Sequence, residues 1–164
     1  MIFNKTHTTL YKLNLSFLVF CSRFVKIMPN FSVVGSFGFF QSNFLVFMIQ
    51  ILAYDLFVSG LYSGFIFTYL GFSGYWLLGR LAHKSVKWQV LLLPVASFIF
   101  FLFSNLGVWW YWYPRNLIGL TRCYSLALPF YRNTLLGDLF FGGSVILLKK
   151  LLTKKLINTQ REYA

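Results

Sequence analysis

WQVLLLPVASFIFFLFSNLGVWWY, residues 88–111, contains no Lys, Arg, Asp or Glu. About 20 apolar residues in a helix cross the ~30 Å hydrocarbon core of a bilayer, so this stretch is long enough to span one and carries no charge to oppose it. It ends in Trp109, Trp110 and Tyr111, and Trp112 and Tyr113 follow. Such rings concentrate at the headgroup level as an anchoring belt, a better account of the cluster than a ligand-stacking wall. The stretch reads as a transmembrane helix.

Three further runs, residues 42–60, 61–82 and 134–152, give weaker versions of the same signal. Over all 164 residues 58% are hydrophobic and 11% are charged, against about 25% charged in an ordinary soluble chain. These numbers predict an all-α membrane protein, a bundle of about five to six transmembrane helices. Its single helical domain occupies residues 13–152, between a polar basic N-terminus (1–12) and a basic tail (153–164). The formal charge of +12 raises nucleic acid as a partner, but the cations fall between apolar runs rather than along one arm. Arg80, Lys84 and Lys87 fill one gap, and Lys149, Lys150, Lys154, Lys155 and Arg161 follow the last run. That is the positive-inside pattern. It predicts that both groups are cytoplasmic and that membrane lipid, not nucleic acid, is the partner.

The beginning of the chain resembles a signal peptide, with a basic start and an apolar core from Leu13 to Cys21. Arg23, Phe24, Lys26 and Met28 stand where a small-residue cleavage site is required, so the segment is read as a retained first helix. Residues 30–41, broken by Gly35 and Gly38, would reach only ~18 Å as a helix, making a half-span or a re-entrant segment. A half-span gives six helices and a cytoplasmic N-terminus, the arrangement in which Lys5 and Lys12 obey the same charge rule as the tail. Ser59-Gly60-Leu61-Tyr62 reads as a tight turn between antiparallel neighbours. Residues 112–133 contain Arg115, Arg122, Arg132 and Pro129. They are expected to form an interfacial or re-entrant helix on the outer side, because a separate full span there would carry the basic tail outside.

No phosphate-binding glycine loop, nucleophile–base–acid set or ligand cluster occurs. Cys21, Cys123, His7 and His83 are too few and too scattered for a zinc site, so no metal, cofactor or enzymatic activity is expected. The informative residues are acids. Only three exist, and Asp55 and Asp138 lie inside apolar stretches, where a charge costs roughly 2.5–3.5 kcal/mol on insertion scales. With Asn30 on the broken segment, Asn105 near the outer end of its span and Arg122 on the same side, they form the candidate substrate-binding set: Asn30, Asp55, Asn105, Arg122 and Asp138. In one reading these residues line an outward-facing polar pocket of a solute-binding or transport subunit. In the other the protein is a membrane scaffold or assembly factor. There the acids pair with arginines to fix helix register, or Asp138 meets the positive end of a last helix beginning near Thr134.

Several stretches carry a family resemblance in order and spacing. They are PNFSVVG (29–35), YDL (54–56), FFLFSNLGVWW (100–110), YPRNLIGLTRCY (113–124) and LPFYRNTLLGDLFF (128–141). Together they resemble an uncharacterised family of small bacterial multispan membrane proteins, domain of unknown function 6580. The resemblance implies a bacterial inner-membrane location and puts Asn30, Phe31, Asp55, Asn105, Trp109, Tyr113, Pro114, Gly119, Pro129, Phe130, Asn133, Gly137 and Asp138 on the family's recurrent positions. The chain departs from the pattern after Asn30-Phe31, where Val33 and a Gly/Ser/Phe run replace a proline and an Ala/Leu-rich helix. The layout is also similar to the substrate-binding membrane subunits of energy-coupling-factor transporters. That likeness implies a small-molecule solute and a separate transmembrane coupling subunit as partners.

Overall fold

The computed structural model describes residues 17–24 and 28–162, with side chains through residue 152. The predicted basic N-terminus and the side chains of Lys154, Lys155 and Arg161 lie outside the described residues. Regular structure among the described residues is helical, with no strand. Helix α1 covers residues 17–22, α2 is Val34–Phe40, and α3 is Phe44–Tyr54, which continues into a π-helical turn, Asp55–Ser59. Helices α4, Phe65–Ala82, and α5, Val86–Trp112, form an antiparallel pair. Helix α6, Leu117–Glu162, follows them.

The element boundaries follow local chemistry. Asn43 caps α3, its side chain accepting from the Val46 amide at 3.2 Å, which satisfies one of the orphan donors at a helix start. Asn116 does the same before α6, accepting from the Gly119 amide at 2.8 Å. The chain reverses after Ser59 as expected, but the hydrogen-bonded turn lies later than Ser59–Tyr62, with the Phe65 amide donating to the Tyr62 carbonyl at 3.1 Å; Gly60 has φ +76°, a region that glycine adopts without strain.

Among the described residues one helix, α5, is long and apolar enough to cross a bilayer on its own, with an 18-residue stretch of mean hydropathy 2.1; Phe44–Ser59 is apolar but shorter. Helix α6 lies antiparallel to α5. The Tyr124 hydroxyl donates to the Leu102 carbonyl at 2.7 Å, the Tyr131 and Phe101 rings sit 4.7 Å apart, and Gly142 faces Leu93. The separate interfacial helix expected over 112–133 is therefore corrected: those residues after Asn116 are the first half of α6, which runs 46 residues without interruption through Pro129. A proline deletes one backbone bond, but Cys123 and Ala127 are buried on one side of this segment while Arg122 and Arg132 are exposed on the other. Three arginines do not break the helix, because Arg115 precedes it and Arg122 and Arg132 occupy its outward face. Packing of the inward face then outweighs the lost bond.

Helix α2 is only seven residues long, and six of them are buried. Its start lies beside Asp138 and its end beside the last turns of α4. Two glycines permit this approach. A Cβ on Gly35 would lie 2.6 Å from the Tyr75 ring and 2.8 Å from Asp138 Oδ1, and one on Gly79 would lie 1.8 Å from the Phe39 carbonyl oxygen. Two clusters complete the core. Val19, Val34, Phe37, Phe47 and Ile51 join α1, α2 and α3, and Phe39, Tyr75, Ala82, Leu93 and Ala96 join α2, α4 and α5. Between the two clusters and the packed parts of α5 and α6, the helices leave an open space.

Candidate functional site

That space is a cavity of about 810 Å³, bounded by residues of α1 to α6 and the segment before α2. Of the five residues expected to bind a solute, Asn30, Asp55, Asn105 and Asp138 line it. Arg122 does not; it is exposed on the outward face of α6. Asn30 is an exposed lining residue with φ +61°, a conformation asparagine tolerates better than most side chains. Asn105 turns its amide back onto its own helix, donating to the Phe101 carbonyl at 2.8 Å.

Asp55 begins the π-helical turn and is 5% exposed. Its partner is Arg23, with Nη2 3.4 Å from Oδ1, rather than any of the three arginines after residue 112. Ser59 Oγ donates to the same oxygen at 3.1 Å, and Tyr69 Oη donates to Oδ2 at 2.9 Å. Arg23 is itself held by the Tyr54 ring, whose centroid lies 3.7 Å from the guanidinium carbon. Removing one member of a buried ion pair leaves the other charge uncompensated. Asp55 thus ties the end of α1, α3 and α4 at one level.

Asp138 is 1% exposed and sits 21 residues beyond the start of α6. The expected helix-start role therefore fails, because the helix begins at Leu117 and a dipole effect fades within its first turn. Instead the carboxylate collects three hydroxyl donors from three other helices. Ser36 Oγ of α2 reaches Oδ1 at 2.9 Å. Ser97 Oγ of α5 reaches Oδ2 at 2.6 Å, and Tyr75 Oη of α4 donates to the same oxygen. Among the described residues Arg23 and Asp55 form an ion pair, and Asp138 forms none.

The rest of the lining is mainly aromatic: Phe31, Phe72, Phe100, Phe101, Phe130 and Tyr131. The arrangement presents one neutralised carboxylate, one carboxylate solvated by hydroxyls alone, and broad ring faces between them. Reading by sequence missed Arg23, Ser36, Tyr69, Tyr75 and Ser97. Ser36 and Ser97 had a usable signal, since a hydroxyl within an apolar helix needs a partner and an embedded acid is one.

Among described residues no group of three His, Cys, Asp or Glu side chains could hold a metal ion. No curated protein and no solved structure matches the chain. The family of unknown function DUF6580 matches residues 3–160. With nearly its whole length covered, and with the Asp55 and Asp138 stretches inside the match, the chain belongs to the DUF6580 family.

Proposed function

We propose that this protein is a multi-pass membrane protein that binds a small solute in the cavity, as the binding or transport subunit of a larger system. The observation that carries the reading is the cavity itself. Small-molecule sites typically occupy 300–1,000 Å³ and combine apolar walls with a few convergent polar groups, and here about 810 Å³ is walled by rings and by both embedded acids. The fit is one of size and chemistry together.

Membrane insertion is supported by α5 and by outward faces rich in exposed large apolar side chains, such as Leu45, Ile49, Ile66, Leu91, Leu139 and Leu147. Monomeric soluble proteins rarely expose contiguous apolar surface on this scale. The proposed arrangement has six crossings, with α2 as a half-span, and the cavity opens toward the end that carries Trp109 to Tyr113. Residues 80–87 and the C-terminal part of α6 then share the cytoplasmic side, as positive-inside charge placement requires. Single cysteines at Ser85 and Asn116, in a background lacking Cys21 and Cys123, are expected to label oppositely with an impermeant thiol reagent. Labelling of position 85 from the outer side of a bacterial inner membrane would reject the orientation.

Solute binding is tested by thermal stability of the purified protein against vitamins, nucleobases and amines. At least one compound should raise the unfolding midpoint, and deletion of the gene should impair uptake of that compound. The likeness to energy-coupling-factor binding subunits supplies the transport half of the reading and suggests a transmembrane coupling subunit as partner.

A scaffold or assembly role is the second reading, favoured by the Arg23–Asp55–Tyr69 network, which joins three helices without needing a ligand. Asp138→Asn separates the two, because Asp138 lines the cavity and lies outside that network. Lower stability with no solute phenotype supports the scaffold, whereas a stable protein that has lost solute binding supports the binding subunit.

A further inference from the structure

We propose that the solute is an organic cation with N–H donors and an apolar body, and that Asp138 rather than Asp55 receives its positive group. The inference rests on the solute-binding reading above and narrows it to one ligand class.

The two acids share a cavity but differ in what they still need. Asp55 has Arg23 as counter-charge, and both its oxygens accept from hydroxyls or the guanidinium. Asp138 has hydroxyls only. Among the described residues, the elements packed against it supply no cation there. Helix α2 has no ionisable residue, the α4 group facing it is Tyr75 and the α5 group is Ser97. On α6 the neighbouring basic residue, Arg132, is exposed. Lys149 is about three turns along, against the Phe40 ring at 4.4 Å. A carboxylate this deeply buried is costly to ionise without a positive partner. The partner that can reach it is one that enters through the cavity it lines.

The surroundings match such a partner. Tyr75, the one of the three donors to Asp138 that also lines the cavity, spends its hydrogen on that carboxylate, so its oxygen lone pair remains able to accept an N–H of an incoming ammonium. Phe31, Phe100, Phe101 and Tyr131 lie along the cavity wall, and ring faces attract cations as well as apolar groups. A neutral or anionic solute of the same shape would gain the rings and lose the charge.

The test uses the full-length protein in detergent and matched probes: 2-phenylethylamine and tryptamine against the corresponding alcohols and carboxylic acids, read by thermal shift and titration near neutral pH. The amines should stabilise the protein, and the alcohols and acids should bind about tenfold more weakly or not at all. Asp138→Asn should weaken amine binding by a similar factor, while Asp55→Asn should weaken it less. Equal binding of amine and alcohol, or preference for the acid, overturns the cation assignment, as does undiminished amine binding in a folded Asp138→Asn protein. The matched pairs on wild-type protein decide the charge preference even where that variant does not fold, and Tyr75→Phe then serves as the milder variant, expected to weaken the amine severalfold. Binding of neutral or anionic solutes alone leaves the solute-binding reading standing and removes this one; no stabilisation by any probe or by the wider screen removes both.

Discussion

Alanine at Gly79 is expected to dislodge α2 and lower the unfolding midpoint by roughly 5–10 °C in a chain of this size. The added Cβ would lie 1.8 Å from the Phe39 carbonyl oxygen and 2.6 Å from its carbon, and backbone cannot rotate aside as a side chain can. Overpacking typically costs about 1–3 kcal/mol, and an unyielding neighbour puts this site at or above the upper end. Any relief has to come from moving α2, which would pull Ser36 from Asp138. Gly143 is the control, because a Cβ there would meet nothing within 4 Å, and alanine should be neutral or stabilising by about 0.5–1 kcal/mol through helix propensity alone. Reaction of buried Cys123 with a thiol-reactive dye during heating, in a Cys21→Ser background, reads both variants. Equal midpoints for Gly79→Ala and Gly143→Ala would show that α2 is not seated as described.

Asp138→Ala should be the most damaging single polar substitution, at about 2–4 kcal/mol, and its cost should centre on one residue. Ser97 Oγ already lies 3.3 Å from the Leu93 carbonyl, and Ser36 Oγ lies 3.2 Å from the Asp138 carbonyl, so both serines keep an acceptor when the carboxylate goes. Tyr75, 1% exposed, has Asp138 as its acceptor and Ser97 beside it. Loss of the carboxylate would take away that acceptor, at a penalty of about 1–3 kcal/mol. Adding Tyr75→Phe to Asp138→Ala should therefore recover part of the loss, about 1 kcal/mol, even though the double variant lacks more hydrogen bonds than the single one. Strict additivity in this cycle, measured by denaturant or thermal unfolding, would mean that the two groups do not interact as the geometry states.

What could be read beforehand was governed by chain length and apolar run, and what could not was governed by facing. Residues 88–111 announced α5, and the run at 61–82, charged only at Arg80, announced α4, because a long apolar segment has few alternatives to a helix. The shortness of 30–41 was legible for the same reason, and α2 occupies Val34–Phe40 within it. The long α6 was not, since Arg122, Arg132 and Pro129 look like a break until one knows that the arginines share an outward face. Asp55, Asp138 and Asn105 were identifiable as candidates from polarity at depth alone, and they line one cavity with Asn30. Their partners depended on which helices become neighbours. Arg23 is 32 residues from Asp55, and Ser36 is 102 from Asp138, separations at which a single sequence gives no pairing information. Arg122 was included because the expected topology put it on the same outer side as Asp138 and Asn105, a criterion blind to rotation about the helix axis.

The turn that carries Asp55 also makes the site sensitive to the number of residues and not only to their kind. A π-helical turn holds one residue more than the α-helical turn it replaces and is a local insertion into an otherwise regular ladder. Deleting one residue from Asp55–Ser59 would let the turn relax to ordinary helical geometry, and because the wide turn had absorbed the surplus residue, the chain beyond it would keep its facing relative to α3. What changes is the spacing inside the turn, the spacing at which Ser59 reaches the Asp55 carboxylate. Length at this turn is therefore a property of the cavity wall in the same way as the chemistry of the side chains that line it.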